Sequence, residues 1–252
     1  MVDIHSHVLY GLDDGPKTLE ESVAMVRMAA AAGTTDLVAS PHADMRYNYR
    51  PEIVDQKIAE LSAATDGAVE IHRGCDFHLY HENIQRALEN PAHYTINGRR
   101  YLLVEFSDLL ILKSVDTIFE RMQAAGITPI VTHPERNQLL ARSPGQIAQW
   151  VNAGCRVQIT ARSCLGGFGS EAKSAAHHLI RARLTHFVAS DAHDAKHRPP
   201  VLREAYTTVA ARYGKRVAEV LFHENPRAAL AGENVEALGP EIEAKRSWWK
   251  FR

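Results

Sequence analysis

The stretch Asp3-Ile4-His5-Ser6-His7 lies near the start of the chain, between the apolar residues Val2 and Val8. In an extended strand, residues i and i+2 lie on the same face about 6.6–6.8 Å apart, so His5 and His7 can present two imidazoles side by side. Imidazole is the commonest metal-ligating side chain. The alternative is a pair of exposed histidines, and the ends of the later strands distinguish the two interpretations.

The composition is ordinary for a soluble globular protein, with 45% hydrophobic and 23% charged residues. The 252 residues suffice for one large domain or two small ones. The chain has 29 Lys and Arg residues and 30 Asp and Glu residues, so its net charge is -1. This balance gives no excess of basic residues that would indicate a nucleic-acid partner.

Cysteine usage and the start of the chain predict a cytoplasmic location. Cys75, Cys155 and Cys164 form no paired framework and no C-x-x-C motif, which is typical of a reducing compartment. The residues after Met1 lack the basic and apolar regions of a secretion signal. No apolar run is long enough to span a bilayer.

Seven apolar, β-branched segments alternate with helix-like segments along the chain. The predicted strands are residues 2–8, 35–40, 69–73, 101–106, 128–132, 156–160 and 185–190. Because parallel neighbours need crossover connections, this order predicts a parallel sheet, and the length favours a closed βα barrel. We assign residues 1–232 to this barrel domain and residues 233–252 to a C-terminal tail. An open doubly wound sheet is the alternative, although no G-x-G-x-x-G follows a strand.

Two local patterns predict helix starts. Thr18-Leu19-Glu20-Glu21 is a capping-box sequence, and Gly33 marks the end of the helix that it opens. Ser143-Pro144-Gly145-Gln146 predicts a second start, with a serine cap, a first-turn proline and a back-bonding glutamine.

Six of the seven predicted strands end in His, Asp or Glu. In a βα barrel the strand C-termini converge on one face, so these side chains would share one mouth. They are His5, His7, His42, Asp76, Glu105, His133, Asp191 and His193. Each alone could be a structural histidine or a turn carboxylate, but so many together would repel or stay poorly solvated without cations. We therefore predict a metal site. The sixth strand supplies no obvious ligand.

Eight ligands exceed what one ion needs, so we expect two or three divalent ions. Mixed imidazole and carboxylate ligands favour Mn, Fe, Co or Zn over Ca. The other nine of the 14 histidines are assigned to structure or surface, although His78 and His197 lie close to predicted ligands. Asp13 and Asp14 are assigned to a turn, ahead of a role in orienting His5 or His7.

Two arginines follow predicted ligands closely. Arg136 lies three residues after His133, and Arg198 lies five residues after His193. Guanidinium groups bind phosphate bidentately, so both are candidates for contacting a phosphoryl group at the same mouth. The alternative, two solvated surface arginines, is less attractive beside a metal cluster.

Six motifs occur in order along the chain and together resemble one family. They are Asp3-Ile-His-Ser-His7, Gly11-Leu-Asp-Asp-Gly15, Ser40-Pro-His42, His133-Pro-Glu-Arg-Asn137, Gln158-Ile-Thr-Ala161 and Val188-Ala-Ser-Asp-Ala-His193. The set looks like the polymerase-and-histidinol-phosphatase (PHP) superfamily. More narrowly, it resembles the bacterial metal-dependent tyrosine-protein phosphatases of capsule and exopolysaccharide systems.

The resemblance implies a distorted seven-stranded (β/α)7 barrel with its metal site at the C-terminal ends of the strands. It implies a trinuclear centre, usually described with manganese, and hydrolysis of phosphotyrosine. The implied partner is the tyrosine-rich cytoplasmic tail of a bacterial tyrosine autokinase that controls polysaccharide assembly. The family's ligands fall on the eight residues above, but Asp76 stands where the resemblance implies a glutamate. Arg136 and Arg198 match its phosphate-contacting arginines.

The expected mechanism is direct attack on phosphorus by a metal-bridging hydroxide, with the two arginines stabilising charge on the phosphoryl oxygens. No cysteine fits a C-x5-R pattern, which disfavours a covalent thiol mechanism. The alternatives are a small-molecule phosphomonoesterase acting on a substrate such as histidinol phosphate, a non-catalytic regulatory module, and a metal-dependent deaminase or amidohydrolase. The small-substrate enzyme would have a narrower, more enclosed mouth.

Basic and aromatic residues occur together at the end of the tail, in residues 245–252. Such a segment could contact a membrane surface or a kinase complex, but a frayed chain end is the preferred interpretation.

Overall fold

The computed structural model describes residues 1–238, and nine parallel strand segments form its inner wall. They are β1 (Val2–Ser6), β2 (Asp36–Ala39), β3 (His42–Ala43), β4 (Glu70–Arg73), β5 (Asp76–His78), β6 (Tyr101–Glu105), β7 (Thr128–Thr132), β8 (Arg156–Thr160) and β9 (Phe187–Ala189). Because β2 and β3 are successive halves of one strand, as are β4 and β5, the wall has the seven strands predicted.

The wall closes on itself as a distorted barrel, which confirms the predicted fold class. One sheet contains β1, β2 and β4, and the other contains β3, β5, β6, β7, β8 and β9. The two sheets join where β2 leads into β3 and β4 into β5. The first and seventh strands meet at a bridge between Ser6 and Ala192, and the backbone N–H of Asp191 donates to the carbonyl of His5 at 2.9 Å.

The breaks within the second and third strands have local causes. Pro41 has no N–H with which to continue the ladder. Gly74 lies so close to β2 that a Cβ there would come 2.4 Å from Cγ1 of Val38. The strands bend at these points, and His42 and Asp76 follow the two breaks in adjacent positions of the β3–β5 pair.

Helices surround the wall. They are α1 (Leu19–Ala31), α2 (Pro51–Ala64), α3 (His81–Glu89), α4 (Pro91–Tyr94), α5 (Val115–Ala124), α6 (Gln138–Ala141), α7 (Pro144–Asn152), α8 (Ala161–Leu165), α9 (Gly169–Arg181), α10 (Arg203–Tyr213), α11 (Lys215–Glu219) and α12 (Asn225–Ala231), with a 3-10 turn at Ile96–Gly98 and a π turn at Val220–Glu224. Within residues 1–238, none of these helices has the length and apolar character needed to cross a membrane.

One of the two predicted helix starts is confirmed in detail. The backbone N–H of Glu21 donates to Thr18 Oγ1 at 3.3 Å, and the Glu21 side chain accepts from the Thr18 backbone, which completes the capping box. The predicted Ser143 cap is wrong, although α7 does begin at Pro144. With ψ at 55°, Ser143 is not extended, and its side chain makes no cap hydrogen bond. Gln146 donates to Asp116 instead of bonding back to the turn.

Apolar residues of the wall divide between an outer and an inner core. On β6, Leu102 packs against the helices, whereas Tyr101 and Leu103 belong to an inner cluster with Val235. The hydroxyl of Tyr101 donates to the carbonyl of Glu233 at 2.6 Å, so the chain just past α12 packs on this inner cluster. The boundary assigned at residue 232 stays a prediction, and the predicted contact of residues 245–252 lies outside the described part of the chain.

Replacement of the buried His186 should make stability less sensitive to pH. Its Nδ1 accepts from the backbone N–H of Val157 at 3.2 Å, and burial, aided by the charge of Arg156, lowers the pKa of His186 from 6.5 to about 3. Between these values the unfolded chain binds a proton that the folded protein does not. Stability is therefore present above pH 6.5 and lost as the pH falls, by about 2 kcal/mol at pH 5 from this group.

The variant His186→Asn keeps a hydrogen-bond acceptor on a side chain that does not titrate. Urea unfolding of both proteins in EDTA at pH 7.5 and pH 5 should show the smaller loss for the variant. Equal losses would mean that His186 does not stay neutral in the folded protein.

Candidate metal centre

All eight predicted ligands meet at the C-terminal mouth of the barrel, where the strands end. Four overlapping groups of ligand atoms each lie within 4.8 Å of one another. The groups are His7, Asp14, His42 and His193; His42, Asp76, His78 and Glu105; His5, His7 and Asp76; and His5, His133 and Asp191. The sharing of His5, His7, His42 and Asp76 between groups makes this one continuous cluster.

The two imidazoles of the first strand are fixed by hydrogen bonds on their outer sides. Nδ1 of His7 donates to Oδ2 of Asp13 at 2.7 Å, and Nδ1 of His5 donates to Oε1 of Gln158 at 2.9 Å. With the proton on Nδ1, each ring directs an Nε2 lone pair inward, and these two nitrogens lie only 3.2 Å apart. At this distance the two nitrogens need a positive charge between them, either the proton that His5 holds at its raised pKa or a metal ion.

Several buried atoms of the cluster have no hydrogen-bond partner. They are Nδ1 of His42, both carboxylate oxygens of Asp76, Nε2 of His78 and Oε2 of Glu105. An unsatisfied buried polar atom is costly, and a native structure rarely collects so many in one place. Imidazole nitrogens and carboxylate oxygens are ligands of divalent first-row metals, so this donor set fits such ions.

Electrostatic interactions and burial within the cluster shift the pKa values of neighbouring groups in opposite directions. Burial lowers the pKa of His5, but the carboxylates of Asp76 and Asp191 outweigh it and raise that pKa to about 9. Burial and nearby imidazoles lower the pKa of His7 to about 4. Burial and the charge of Asp76 raise the pKa of Glu105 to about 7. Without metal, some groups of the cluster therefore hold a proton while their neighbours do not, and this partial protonation limits the net charge of the cluster. Bound cations would balance that charge in place of the protons.

Two residues of the cluster have left-handed backbones. His133 has a φ of 32° and Asp191 a φ of 51°, a region that costs about 1–3 kcal/mol for such residues. Main-chain hydrogen bonds hold both, from His133 N–H to the carbonyl of Gln158 and from Asp191 N–H to the carbonyl of His5. These turns direct the side chains into the mouth as the strands end.

Both predicted arginines reach the cluster. Nη1 of Arg136 and Nη2 of Arg198 pair with the same oxygen, Oδ2 of Asp191, the latter at 2.5 Å. The other oxygen of Asp191 lies 3.6 Å from Nε2 of His5. The guanidinium carbons lie 4.3 Å (Arg136) and 5.8 Å (Arg198) from the ring centre of Phe168. Asp191 therefore faces the metal cluster with one oxygen and the arginine pair with the other.

The structure adds Asp14 to the cluster, which the sequence interpretation had assigned to a turn. Its Oδ1 lies 3.4 Å from Nε2 of His42 and 3.3 Å from Nε2 of His193. Asp13 serves both of the roles considered for it, since Oδ1 accepts from the N–H of Gly15 while Oδ2 accepts from His7. No sequence periodicity marks a turn residue as a ligand, so nothing in the spacing pointed to Asp14.

Of the two histidines that lie close in sequence to predicted ligands, one lies inside the cluster and the other outside it. His197 is 86% exposed in its side chain and lies outside the cluster, as expected. His78 is inside it, with Nε2 at 2.6 Å from Oε2 of Glu105. Its i+2 spacing from Asp76 repeats that of His5 and His7, and this was the signal that could have found it.

Known proteins are similar to this chain over almost its whole length. The family model for capsular polysaccharide synthesis, CpsB/CapC, matches residues 1–231. CapC of Staphylococcus aureus is 32% identical over 99% of this chain and 98% of its own length. The tyrosine-protein phosphatase CpsB of Streptococcus pneumoniae is 31% identical over 91% of this chain and 98% of its own.

Solved structures agree with these relatives. A crystal structure from work on YwqE of Bacillus subtilis and CpsB of Streptococcus pneumoniae, described as unique metal-dependent tyrosine phosphatases, has a TM-score of 0.88 to this chain at 29% identity. The match covers 94% of this chain and 97% of that one.

Metal removal should destabilise the protein, because bound cations offset the repulsion between Asp76, Glu105 and Asp191. With Mn2+ at 100 times its dissociation constant, one ion adds about 2.7 kcal/mol, which corresponds to about 5–10 °C in Tm at this chain length. Thermal melts with EDTA and after Mn2+ is restored would measure this shift. Elemental analysis should find two or three ions per chain, and one ion or none would contradict the multinuclear site.

Proposed function

This chain belongs to the CpsB/CapC family of capsular polysaccharide synthesis proteins, and we propose that it is a metal-dependent protein-tyrosine phosphatase acting in that process. The observation that carries the proposal is the shared carboxylate of Asp191, which joins a pair of arginines to a multinuclear metal-binding cluster. Phosphoryl transfer needs both parts, because its catalysis is largely positioning and charge stabilisation.

We assign metal binding to the eight residues at the strand ends and extend it to Asp14. The proposed ligands are His5, His7, Asp14, His42, Asp76, Glu105, His133, Asp191 and His193. When bound, two or three divalent ions, with manganese preferred over Fe, Co or Zn, would supply a nucleophile by lowering the pKa of a coordinated water and would stabilise charge on phosphoryl oxygens. The outer hydrogen bonds of His5 and His7 hold the lone pairs ready for this role.

Arg136 and Arg198 bind the phosphoryl oxygens. Both guanidinium groups converge on one carboxylate oxygen of Asp191, which holds them next to each other beside the cluster. The Phe168 ring supports the pair from the other side. The arginines are therefore preorganised before substrate arrives, which favours binding of charge that develops in the transition state.

A covalent cysteine mechanism has no suitable nucleophile in the described chain. Cys75, Cys155 and Cys164 are all buried and free. Burial raises the pKa of Cys155 and of Cys164 to about 12 and that of Cys75 well above its usual value, so none forms a thiolate near neutral pH. We therefore favour direct displacement by water, for which a phenol of pKa about 10 leaves without strong help from a general acid.

The surroundings of the arginines favour a protein substrate. A surface cleft of about 730 Å³ borders Arg136 and Phe168 and continues along α7 and α9. None of the proposed metal ligands lines this cleft, so it can take the part of a peptide that extends past Arg136. A small phosphomonoester would use only the pocket of about 90 Å³ that is lined by Glu105, His133 and Arg136. We propose the tyrosine-rich cytoplasmic tail of a polysaccharide-assembly kinase as the partner, in the cytoplasm.

Phosphate release from a phosphotyrosyl peptide should depend on Mn2+ and exceed release from a phosphoserine peptide or from histidinol phosphate. The reason is the better phenol leaving group, combined with the open cleft. Malachite-green assays on the metal-loaded enzyme at equal substrate concentrations compare the three. Equal or faster turnover of histidinol phosphate would indicate a small-molecule phosphomonoesterase, and no turnover of any substrate would indicate a regulatory module.

Loss of either phosphate-binding arginine should reduce catalysis without removing the ions. Arg136→Ala and Arg198→Ala should each lower kcat/KM for the phosphotyrosyl peptide about 10²–10³-fold, the range for removing one charge-stabilising donor. Arg142→Ala, which removes an exposed arginine from the same cleft, is the matched control and should stay within about threefold. If kcat/KM of the control falls as far as that of the other two variants, the reaction depends on general positive charge and not on the paired guanidinium groups of Arg136 and Arg198.

A further inference from the structure

The third strand of the barrel sends two potential ligands into the mouth. On β5 the side chain of Phe77 packs into the outer core, so Asp76 and His78 lie together on the opposite face. The pairing of β5 with β6 sets His78 beside Glu105, and the pairing with β3 sets Asp76 beside His42. Three neighbouring strands thus fix the relative positions of all four side chains.

The contact between His78 and Glu105 does not behave as an ordinary hydrogen bond. Nε2 of His78 and Oε2 of Glu105 are 2.6 Å apart, yet their alignment forms no hydrogen bond, and both atoms are buried without another partner. Nδ1 of His42 lies 3.4 Å from the same Glu105 oxygen and 3.1 Å from Oδ2 of Asp76. Four buried ligand atoms thus face one another, and none of them has a hydrogen-bond partner among the described residues.

We propose that His78 is a metal ligand, which together with His42, Asp76 and Glu105 completes a four-donor site for one ion, an inference that rests on the metal-dependent function proposed above. Two carboxylates balance the charge of a divalent cation, and the two neutral imidazoles add donors without adding charge. Oε1 of Glu105 lies 3.5 Å from Nε2 of His133, so this carboxylate reaches a second ion position with its other oxygen.

The competing role for His78 is that of a hydrogen-bond donor that only orients Glu105. Two substitutions separate these roles. His78→Gln keeps an N–H donor for Glu105 but replaces imidazole with a poor ligand, whereas His78→Glu offers a good ligand and no donor. His81→Gln removes an exposed histidine three residues away and is the matched control.

Mn2+ binding to metal-free protein tests the proposal by equilibrium dialysis, with free Mn2+ measured by electron paramagnetic resonance. His78→Gln should lose one ion per chain or bind it at least about tenfold more weakly, while the remaining ions bind as in the wild type. His78→Glu and His81→Gln should keep the wild-type ion count. Wild-type binding by His78→Gln, or loss of an ion only in His78→Glu, would overturn the proposal.

Circular dichroism in EDTA checks that each variant folds before metal is added. If His78→Gln does not fold, crystals of the wild type with Mn2+ decide the matter. Anomalous density within bonding distance of Nε2 of His78 supports the proposal, and an ion bound by the other three residues alone overturns it.

These results are separable from the phosphatase assignment. Wild-type protein that hydrolyses phosphotyrosine while His78→Gln keeps every ion would contradict only the role of His78. Protein that loses an ion on His78→Gln but hydrolyses no phosphotyrosine would contradict only the proposed function.

Discussion

The constraint on which the site depends is the fixed orientation of two imidazoles. Because Asp13 and Gln158 accept the Nδ1 protons of His7 and His5, neither ring can turn its Nε2 away from the other. Without metal, the proton that His5 holds at its raised pKa lies between the two nitrogens, and a bound metal ion would replace it. The same logic applies to Asp76, whose two buried oxygens have no hydrogen-bond donor among the described residues. The protein accepts an electrostatically unfavourable centre without metal, and this makes binding of metal favourable.

The barrel tolerates this unfavourable centre because contacts throughout its wall stabilise the fold. Seven parallel strands end at one mouth, so most of the ligands, although far apart in the chain, converge at or just after the ends of strands. The strained backbones of His133 and Asp191 occur where the strands turn away, and main-chain hydrogen bonds from neighbouring strands hold them there. Closure of the barrel through Asp191 and His5 links the first strand to the last, so the site and the fold are stabilised by the same contacts.

The sequence predicted the parts of this site that follow from strand periodicity and strand ends. His5 and His7 share a face because strands alternate, and His133 and Asp191 follow apolar runs that had to end at the mouth. Asp14 could not be found in this way, because a turn has no period and its proximity to His193 depends on closure of the barrel. Gln158 was likewise not foreseen as a partner of His5, since the sixth strand carried no charged ligand. The predicted Ser143 cap was wrong because the ψ of Ser143 is 55°, outside the extended region that side-chain capping needs, and the local sequence does not fix that angle.

Asp191 links the predicted metal cluster to the pair formed by Arg136 and Arg198. Two guanidinium groups carry two positive charges, and one carboxylate oxygen cannot neutralise both of them. In the proposed phosphatase, this leaves the arginine pair with positive charge that suits a phosphoryl dianion. On the same proposal, the carboxylate limits that charge and so restrains the affinity of the pair for inorganic phosphate. The same arginines without a shared carboxylate would bind product more tightly, so Asp191 would balance capture of substrate against release of product.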